Sequence, residues 1–346
     1  MKKNKIILIG GIRKGKKAVC GETMKNQFFI KRFSELFDKV IAVDTYNWRK
    51  RPWCIIEIFF TLLFNPKAKV IISASASCRH LIHFLNKIPL NKNVYFWVIG
   101  GKFPLFVKEG LYRIDALNKL KKILVEGEKM LEDLNKLGVN NVICVPNFKP
   151  IIFSPQIEPK KDDIYKFVFL SRIHPDKGIK EIIEAYEILY RNGYKDRFTI
   201  DFYGLLPNDF KEDFFTMISN KENISYNGFI NLRDENGYKQ LSTYDVMLFP
   251  TYWGGEGFPG VVIDAYIAGL PIIATDWNLN KYVIEDNKTG IIIPVHNSDA
   301  LAESMKKFID KSIDLNLMKQ NCVENAKKYD YKNVLSERLM KELELK

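Results

Sequence analysis

Histidine, cysteine and long apolar runs are what this sequence has least of. Its 346 residues include four histidines and five cysteines. The cysteines (Cys20, Cys54, Cys78, Cys144, Cys322) are odd in number and widely scattered, with no Cys-x-x-Cys and no Cys/His cluster. A disulfide framework and a structural zinc site are thereby excluded, and the cysteines read as small hydrophobes of a reducing compartment. The longest apolar stretch, Ile55 to Phe64, is broken by Glu57 and Thr61. It falls well short of the roughly 20 residues of a membrane helix. The apolar run after Met1 is also too short for a secretory signal.

Acid is scarce in one half. The net charge is +12, but residues 1–150 hold 28 Lys and Arg against 11 Asp and Glu, a balance of +17. The remainder holds 25 against 30, a balance of −5. The first half is therefore expected to face something anionic. A general preference for lysine explains part of the excess, not the difference between halves. No nucleic-acid recognition motif is present, so no nucleic-acid partner is expected.

What is present is a regular alternation of strands and helices. Lys5 to Ile9, Lys39 to Val43, Lys69 to Ile72, Asn93 to Ile99, Lys122 to Val125 and Asn141 to Val145 read as buried strands. A second set is Tyr165 to Leu170, Phe198 to Tyr203, Ile224 to Tyr226, Asp245 to Phe249, Pro271 to Thr275 and Ile291 to Ile293. Such alternation predicts parallel sheets with right-handed crossovers. Between the sets, Pro146 to Lys161 carries four prolines and reads as an interdomain linker. Gly21 opens a helix whose core face is expected to be Met24, Phe28, Phe33 and Phe37, after a basic glycine loop. Trp48-Arg49-Lys50-Arg51-Pro52-Trp53 precedes the apolar Ile55 to Phe64. That juxtaposition suits a membrane surface. It equally suits a half-buried helix with a basic N-terminal loop.

Two loops carry chemistry. After the strand ending at Leu170 come Arg172 and Lys177, two cations beside a helix N-terminus, a place for a diphosphate. A surface loop with incidental cations is the alternative. After the strand ending at Phe249 comes Gly254-Gly255-Glu256-Gly257-Phe258-Pro259-Gly260, then a helix holding Asp264 and a further strand. The turn offers backbone N–H groups to an anion. Glu256 suits hydroxyl donors, and Asp264 lies about two turns on, on roughly the same helix face. Gly255 to Gly260 is also a formal G-x-G-x-x-G with Asp276 at nearly the spacing of a ribose-binding acid. That would make the chain a dinucleotide-dependent oxidoreductase. Against it, an acid occupies the turn meant for pyrophosphate, and the match lies late in the chain.

Glu256-Gly257-Phe258-Pro259, seven residues between acids, and the following Ala265-Tyr266-Ile267-Ala268-Gly269-Leu270-Pro271 resemble the signature of glycosyltransferase family 4. Asp264 stands where the family has a second Glu, one methylene shorter. Arg172 and Lys177 match the family's diphosphate-gripping pair.

The resemblance implies an α/β fold of the GT-B type, two Rossmann-like domains facing each other across a cleft. The domains would be 1–155 for the acceptor and 156–322 for the nucleotide sugar. A C-terminal helix over 323–346, whose pattern breaks near Asp330-Tyr331, would cross back to the first domain. It implies a retaining hexosyltransferase that moves a sugar from a nucleotide-diphosphate sugar to a saccharide acceptor, often lipid-linked, in cell-surface polysaccharide synthesis. The alternative within that reading is a nucleotide-sugar binder without turnover.

By the same resemblance Arg172, Lys177 and Glu256 are the catalytic group. Gly11, Gly228, Phe229, Ile230, Gly257, Phe258, Pro259, Gly260 and Asp264 would bind the donor. No Asp-x-Asp occurs, so no cofactor and no divalent metal is expected, Arg and Lys serving instead. The location implied is cytoplasmic and peripheral, on the inner face of the cytoplasmic membrane through the basic first domain.

The resemblance is close in the second domain and only an outline in the first. Many relatives place a His near the sugar, but the only first-domain histidines, His80 and His83, sit on a helical stretch and read as structural. Where relatives have His-Asp after the fourth strand, this chain has Gly100-Gly101-Lys102, and Lys281-Tyr282 stand where many relatives have a Glu. Ser73 to Ser77 and Trp277 to Asn280 look like enzymes assembling bacterial surface polysaccharides.

Overall fold

A computed structural model describes residues 5–17, 20–75, 78–87 and 93–345. It divides into two compact units, Met1–Pro150 with Tyr329–Lys346, and Ile151–Lys328. Ala76 and Ser77, the end of the small-residue run, lie outside the described residues.

The first unit is built on six parallel strands. They are β1 (Lys5–Gly10), β2 (Lys39–Asp44), β3 (Lys69–Ser75), β4 (Val94–Ile99), β5 (Lys122–Val125) and β6 (Val142–Cys144). Their order is β2-β1-β3-β4-β5-β6. The near-continuous apolar strands belong to a sheet covered on both faces. Helices α1 (Gly21–Leu36), α2 (Cys54–Leu63) and α3 (Arg79–Lys87) follow β1, β2 and β3.

The α1 stripe keeps Phe33 and Phe37 of the expected face and differs in its first half. Phe29, Phe33 and Leu36 are buried, with Lys25 and Asn26, whereas Met24 and Phe28 are only half-buried. The rotation is set by polar partners. Lys25 Nζ pairs with the buried Glu126 at 2.6 Å, and Asn26 Nδ2 donates to Gly11 O and Ser73 O. Phe29 packs edge-on against Trp97 at 4.4 Å and Phe148 at 5.0 Å.

The C-terminal segment packs on this first unit in short pieces, with the expected break at Asp330 and a second one at Leu335 and Ser336. Residues 331–334 and 337–342 form separate helices with Leu335 between them. Tyr331, Leu335, Met340 and Leu343 join the core of α1 and the sheet. Tyr95 Oη donates to Leu343 O at 2.6 Å, and Tyr331 Oη to Glu35 Oε1 at 3.0 Å.

The second unit holds β7 (Tyr165–Leu170), β8 (Phe198–Tyr203), β9 (Ile224–Tyr226), β10 (Val246–Phe249), β11 (Ile272–Thr275) and β12 (Gly290–Ile293). All pairs are parallel, in the order β12-β11-β10-β7-β8-β9. The helix Ile179–Leu189 and the helix Ser298–Ile309 cover one face, burying Ile182, Leu189, Leu301, Met305 and Phe308 against Phe167 and Leu248.

Candidate functional site

In the second unit the chain runs outward from β7 to β8 and β9, then returns to β10 and runs the other way. The crevice where the direction switches, outside the carboxyl ends of β7 and β10, is where open parallel sheets bind ligands. Both predicted loops open there.

The loop after β7 is held along the sheet. Ser171 N–H donates to Tyr203 O at 3.1 Å and Ile173 N–H to Leu205 O at 2.8 Å. A single turn, Pro175–Lys177, then leads into Gly178 at φ 79°. A Cβ on Gly178 would lie 2.3 Å from Pro250 O, so only glycine lets the two loops meet. Lys177, only 9 % exposed, is thereby aimed at the β10 loop, where its Nζ forms an ion pair with Glu256 Oε2. Arg172 lies exposed and makes no hydrogen bond or ion pair among the described residues.

The loop after β10 is cross-braced. The buried Thr251 hydroxyl lies 3.3 Å from Glu256 Oε2 and accepts from Trp253 N–H at 3.2 Å. Tyr252 N–H donates to Asp176 O at 2.9 Å, tying this loop to the other. Trp277 Nε1 donates to Trp253 O at 2.9 Å and Asn278 Nδ2 to Glu256 O at 3.0 Å. The Glu256 carboxylate is thus held by Lys177 and Thr251, and its backbone carbonyl by Asn278. Gly257, Phe258 and Pro259 are buried, and Gly260 begins the helix Gly260–Ile267. Gly255 has its own reason: a Cβ there would lie 2.6 Å from Trp253 Nε1. The formal G-x-G-x-x-G therefore has one glycine set by a tryptophan and an acid committed to a lysine, not a bare cradle for pyrophosphate.

Asp264 is 4 % exposed, and its Oδ1 accepts from the Tyr238 hydroxyl at 2.8 Å. Burial, then the neighbouring Asp264 charge, pushes the Tyr238 phenol well above its usual range, so it stays a donor. The Tyr238 ring stacks on Phe153 with centroids 6.3 Å apart. Gly228, Phe229 and Ile230 follow β9. Gly228 O accepts from Gly204 N–H at 2.7 Å, and a Cβ on Gly204 would lie 1.7 Å from Ser171 O. This places the three loops after β7, β8 and β9 side by side, with Phe229 68 % exposed.

Gly11 belongs to the first unit. A Cβ on it would lie 2.8 Å from Glu22 Oε1. Glu22 accepts from Ser75 N–H at 3.2 Å, beyond the carboxyl ends of β1 and β3. Burial raises its carboxyl above the ordinary value, against the hydrogen bonds from Ser75 and Gly11. Nearby, Asp44 accepts from the N–H groups of Ile12, Lys14 and Tyr46 and so shapes the basic loop. Burial opposes its ionisation, but those backbone donors together hold it below the usual carboxylate range.

Sequence reasoning missed Glu22, Thr251, Tyr238 and Asn278. An acid in the first turn of the helix after a glycine loop was a signal for Glu22, and the residue after the strand-ending proline for Thr251. Nothing local marks Tyr238, which reaches Asp264 from another helix. Among the described residues no three His, Cys, Asp or Glu side chains gather to hold a metal ion.

Residues 151–329, just over half of the chain, match the family model of glycosyl transferases group 1. The chain belongs to this family. It is 28 % identical over 211 residues to the poly(ribitol-phosphate) alpha-N-acetylglucosaminyltransferase of Staphylococcus aureus, covering 60 % of this chain and 41 % of that one. It is 24 % identical over 237 residues to the UDP-Gal:alpha-D-GlcNAc-diphosphoundecaprenol alpha-1,3-galactosyltransferase of Escherichia coli, covering 67 % and 58 %. The chain spans about half the length of these curated relatives. A glycosyltransferase structure from Rickettsia africae superposes with a TM-score of 0.74 at 14 % identity, over 100 % of this chain and 99 % of that one. Two six-stranded parallel units of this kind are the GT-B fold of group 1 glycosyl transferases.

Proposed function

We propose that this group 1 glycosyl transferase is of the family 4 type and moves a hexosyl group from a nucleotide-diphosphate sugar to a saccharide, with retention. The acceptor is carried on a lipid, and the product enters a cell-surface polysaccharide. The observation that carries this reading is the Lys177–Glu256 ion pair at the β7/β10 switch point, with the unpaired Arg172 in the same loop as Lys177.

Each group has a role in that reaction. When the bond between the anomeric carbon and the diphosphate breaks, the electron pair leaves with the phosphate. Charge grows where Arg172 and Lys177 stand, and cations fixed in advance lower the barrier. Glu256, held by Lys177, Thr251 and Asn278, accepts from sugar hydroxyls. Asp264, oriented by Tyr238, serves the ribose. The loop at Gly228, Phe229 and Ile230 offers an exposed aromatic face to the base. Backbone of Gly257 to Gly260 lies along sugar and phosphates, where side chains would intrude. Arg172 and Lys177 take the part of a divalent metal. The names of the relatives support a surface-polymer product, since one names ribitol phosphate and the other a diphosphoundecaprenol-linked sugar.

The test is a transfer assay with a panel of nucleotide sugars, with and without EDTA. Turnover should survive chelation. Arg172→Ala and Lys177→Ala should each lose transition-state stabilisation of about 2–4 kcal/mol while the fold persists. Full activity in both variants would overturn the assignment. Donor binding with no turnover on any acceptor would leave a binder instead of an enzyme.

A further inference from the structure

Helix α2 is apolar on both sides. Cys54, Ile58 and Leu62 are buried, yet Ile55, Ile56, Phe59, Phe60 and Leu63, with Phe64 beyond the helix, lie between 40 % (Phe59) and 75 % (Phe64) exposed. Isolated exposed hydrophobics are ordinary, but a contiguous face of this kind marks a binding surface. Beneath it is a cavity of ≈ 220 Å³ over the carboxyl ends of β1 and β3. Its walls are Ile9, Ile72 and Ala74 from the sheet, Ile55 and Ile58 from α2, and Phe84 from α3. An apolar cavity on the order of 150 Å³ stays dry and admits a small hydrocarbon, so this one has room for several carbons of a chain.

The rim has the opposite character. Trp48 lines the cavity and belongs to the turn Trp48–Lys50, whose Arg49 and Lys50 are exposed without ion pairs among the described residues. On the other side His80 lines it next to Arg79, the first residue of α3. Of the neighbouring acids, Asp44 is engaged by Arg51 at 3.7 Å and by backbone N–H groups, Glu22, close to the cavity-lining Cys78, accepts from Ser75 N–H, and Glu57 lies on α2. An apolar slot with a cationic lip fits an anionic amphiphile: a hydrocarbon chain inside and a phosphate outside.

We propose that this crevice binds the chain of the phosphate-bearing lipid that carries the acceptor sugar. The exposed face of α2 then rests on the bilayer from which that chain is drawn. The inference rests on the transfer reading above and gives its acceptor a chemical class. It is also in keeping with the relative whose name specifies a diphosphoundecaprenol-linked sugar.

The probe is a short prenyl phosphate used as monomer, titrated into the full chain calorimetrically beside inorganic phosphate and the parent prenol. Prenyl phosphate should bind, inorganic phosphate should not, and the prenol should bind at least about tenfold more weakly. Ala74→Phe, which fills the cavity, should weaken prenyl phosphate by about tenfold or more. Because that variant changes a packed strand end, Ile55→Asp at the exposed wall gives a second arm with the same expectation. Ile56→Ser with Phe60→Ser, outside the cavity, should leave monomer binding within about twofold and reduce recovery on vesicles. Prenyl phosphate binding unaltered in both Ala74→Phe and Ile55→Asp, with thermal midpoints intact, would overturn the site, as would no binding to the unaltered protein. Binding of prenyl phosphate without transfer to any acceptor would overturn the catalytic reading and keep the crevice.

Discussion

Asp264 shows how a buried carboxylate is kept available. Its Tyr238 partner supplies one hydrogen bond from a phenol that burial prevents from ionising. If ribose hydroxyls donate to the same carboxylate, Asp264→Ala should weaken a ribonucleotide far more than its deoxyribose analogue, because hydroxyls that lose their acceptor are left unpaired. Calorimetric titration of both analogues checks this, and equal weakening would make Asp264 a packing residue of its helix. Glu22 presents the opposite electrostatic case. Its folded pKa is raised from the ordinary 4.5, chiefly by burial. The folded state therefore holds the proton longer than the unfolded one. Stability from this group is fully present below the unfolded value and falls as pH rises through it to the folded value. Glu22→Gln, which keeps an oxygen for Ser75 N–H, should raise the thermal midpoint at about pH 7 and lose that gain by about pH 4. The same difference at both pH values would mean that Glu22 ionises without cost.

At the scale of elements, the site depends on two loops meeting at one glycine. Gly178→Ala would place a methyl against Pro250 O at a φ of 79° and drive the β7 and β10 loops apart. A stability loss of about 1–3 kcal/mol is expected, read as a lower thermal midpoint, together with weaker nucleotide-diphosphate binding because Lys177 precedes that residue. A melt unchanged with full binding would show that the loops have slack. The strands and these two loops were legible in the sequence because their signals are local: β-branched runs, strand-ending prolines, and cations or an acid just beyond. The first half of the α1 stripe was not, because Lys25 is turned inward by Glu126, 101 residues away. Met24 and Phe28 have the right character for a core stripe, but a buried ion pair and the Asn26 bonds decide which face turns in. In the C-terminal segment the break near Asp330-Tyr331 was legible, and a second one at Leu335 and Ser336 was not. Asp330 caps a short helix by accepting from Lys332 N–H, and Ser336 caps the next through Leu339 N–H. Caps of that kind divide a helix without interrupting its apolar spacing. Tyr238 and Asn278 were invisible because a hydrogen bond to a distant side chain or carbonyl leaves no mark on its own neighbourhood.

For the whole molecule, the excess of +17 over residues 1–150 and the contiguous exposed apolar face of α2 lie in the same unit. No described helix is long and apolar enough to cross a membrane. Docking on a bilayer would therefore be peripheral, with Trp48, Trp53 and Phe60 at the interface and Arg49, Lys50 and Arg51 over the headgroups. Each such cation contributes about 1 kcal/mol near an anionic leaflet, and salt screens the attraction over about 8 Å at physiological strength. Liposome flotation should accordingly recover the protein on vesicles containing anionic lipid, and recovery should fall as salt rises. Changing Arg49, Lys50 and Arg51 together to Glu should abolish recovery while leaving nucleotide-diphosphate binding intact, because the cations proposed for the diphosphate, Arg172 and Lys177, belong to the other unit. Equal flotation on neutral vesicles would assign the anchoring to the apolar face alone. Absence from both kinds of vesicle would reduce the charge asymmetry to a lysine-rich composition and leave α2 to some other partner.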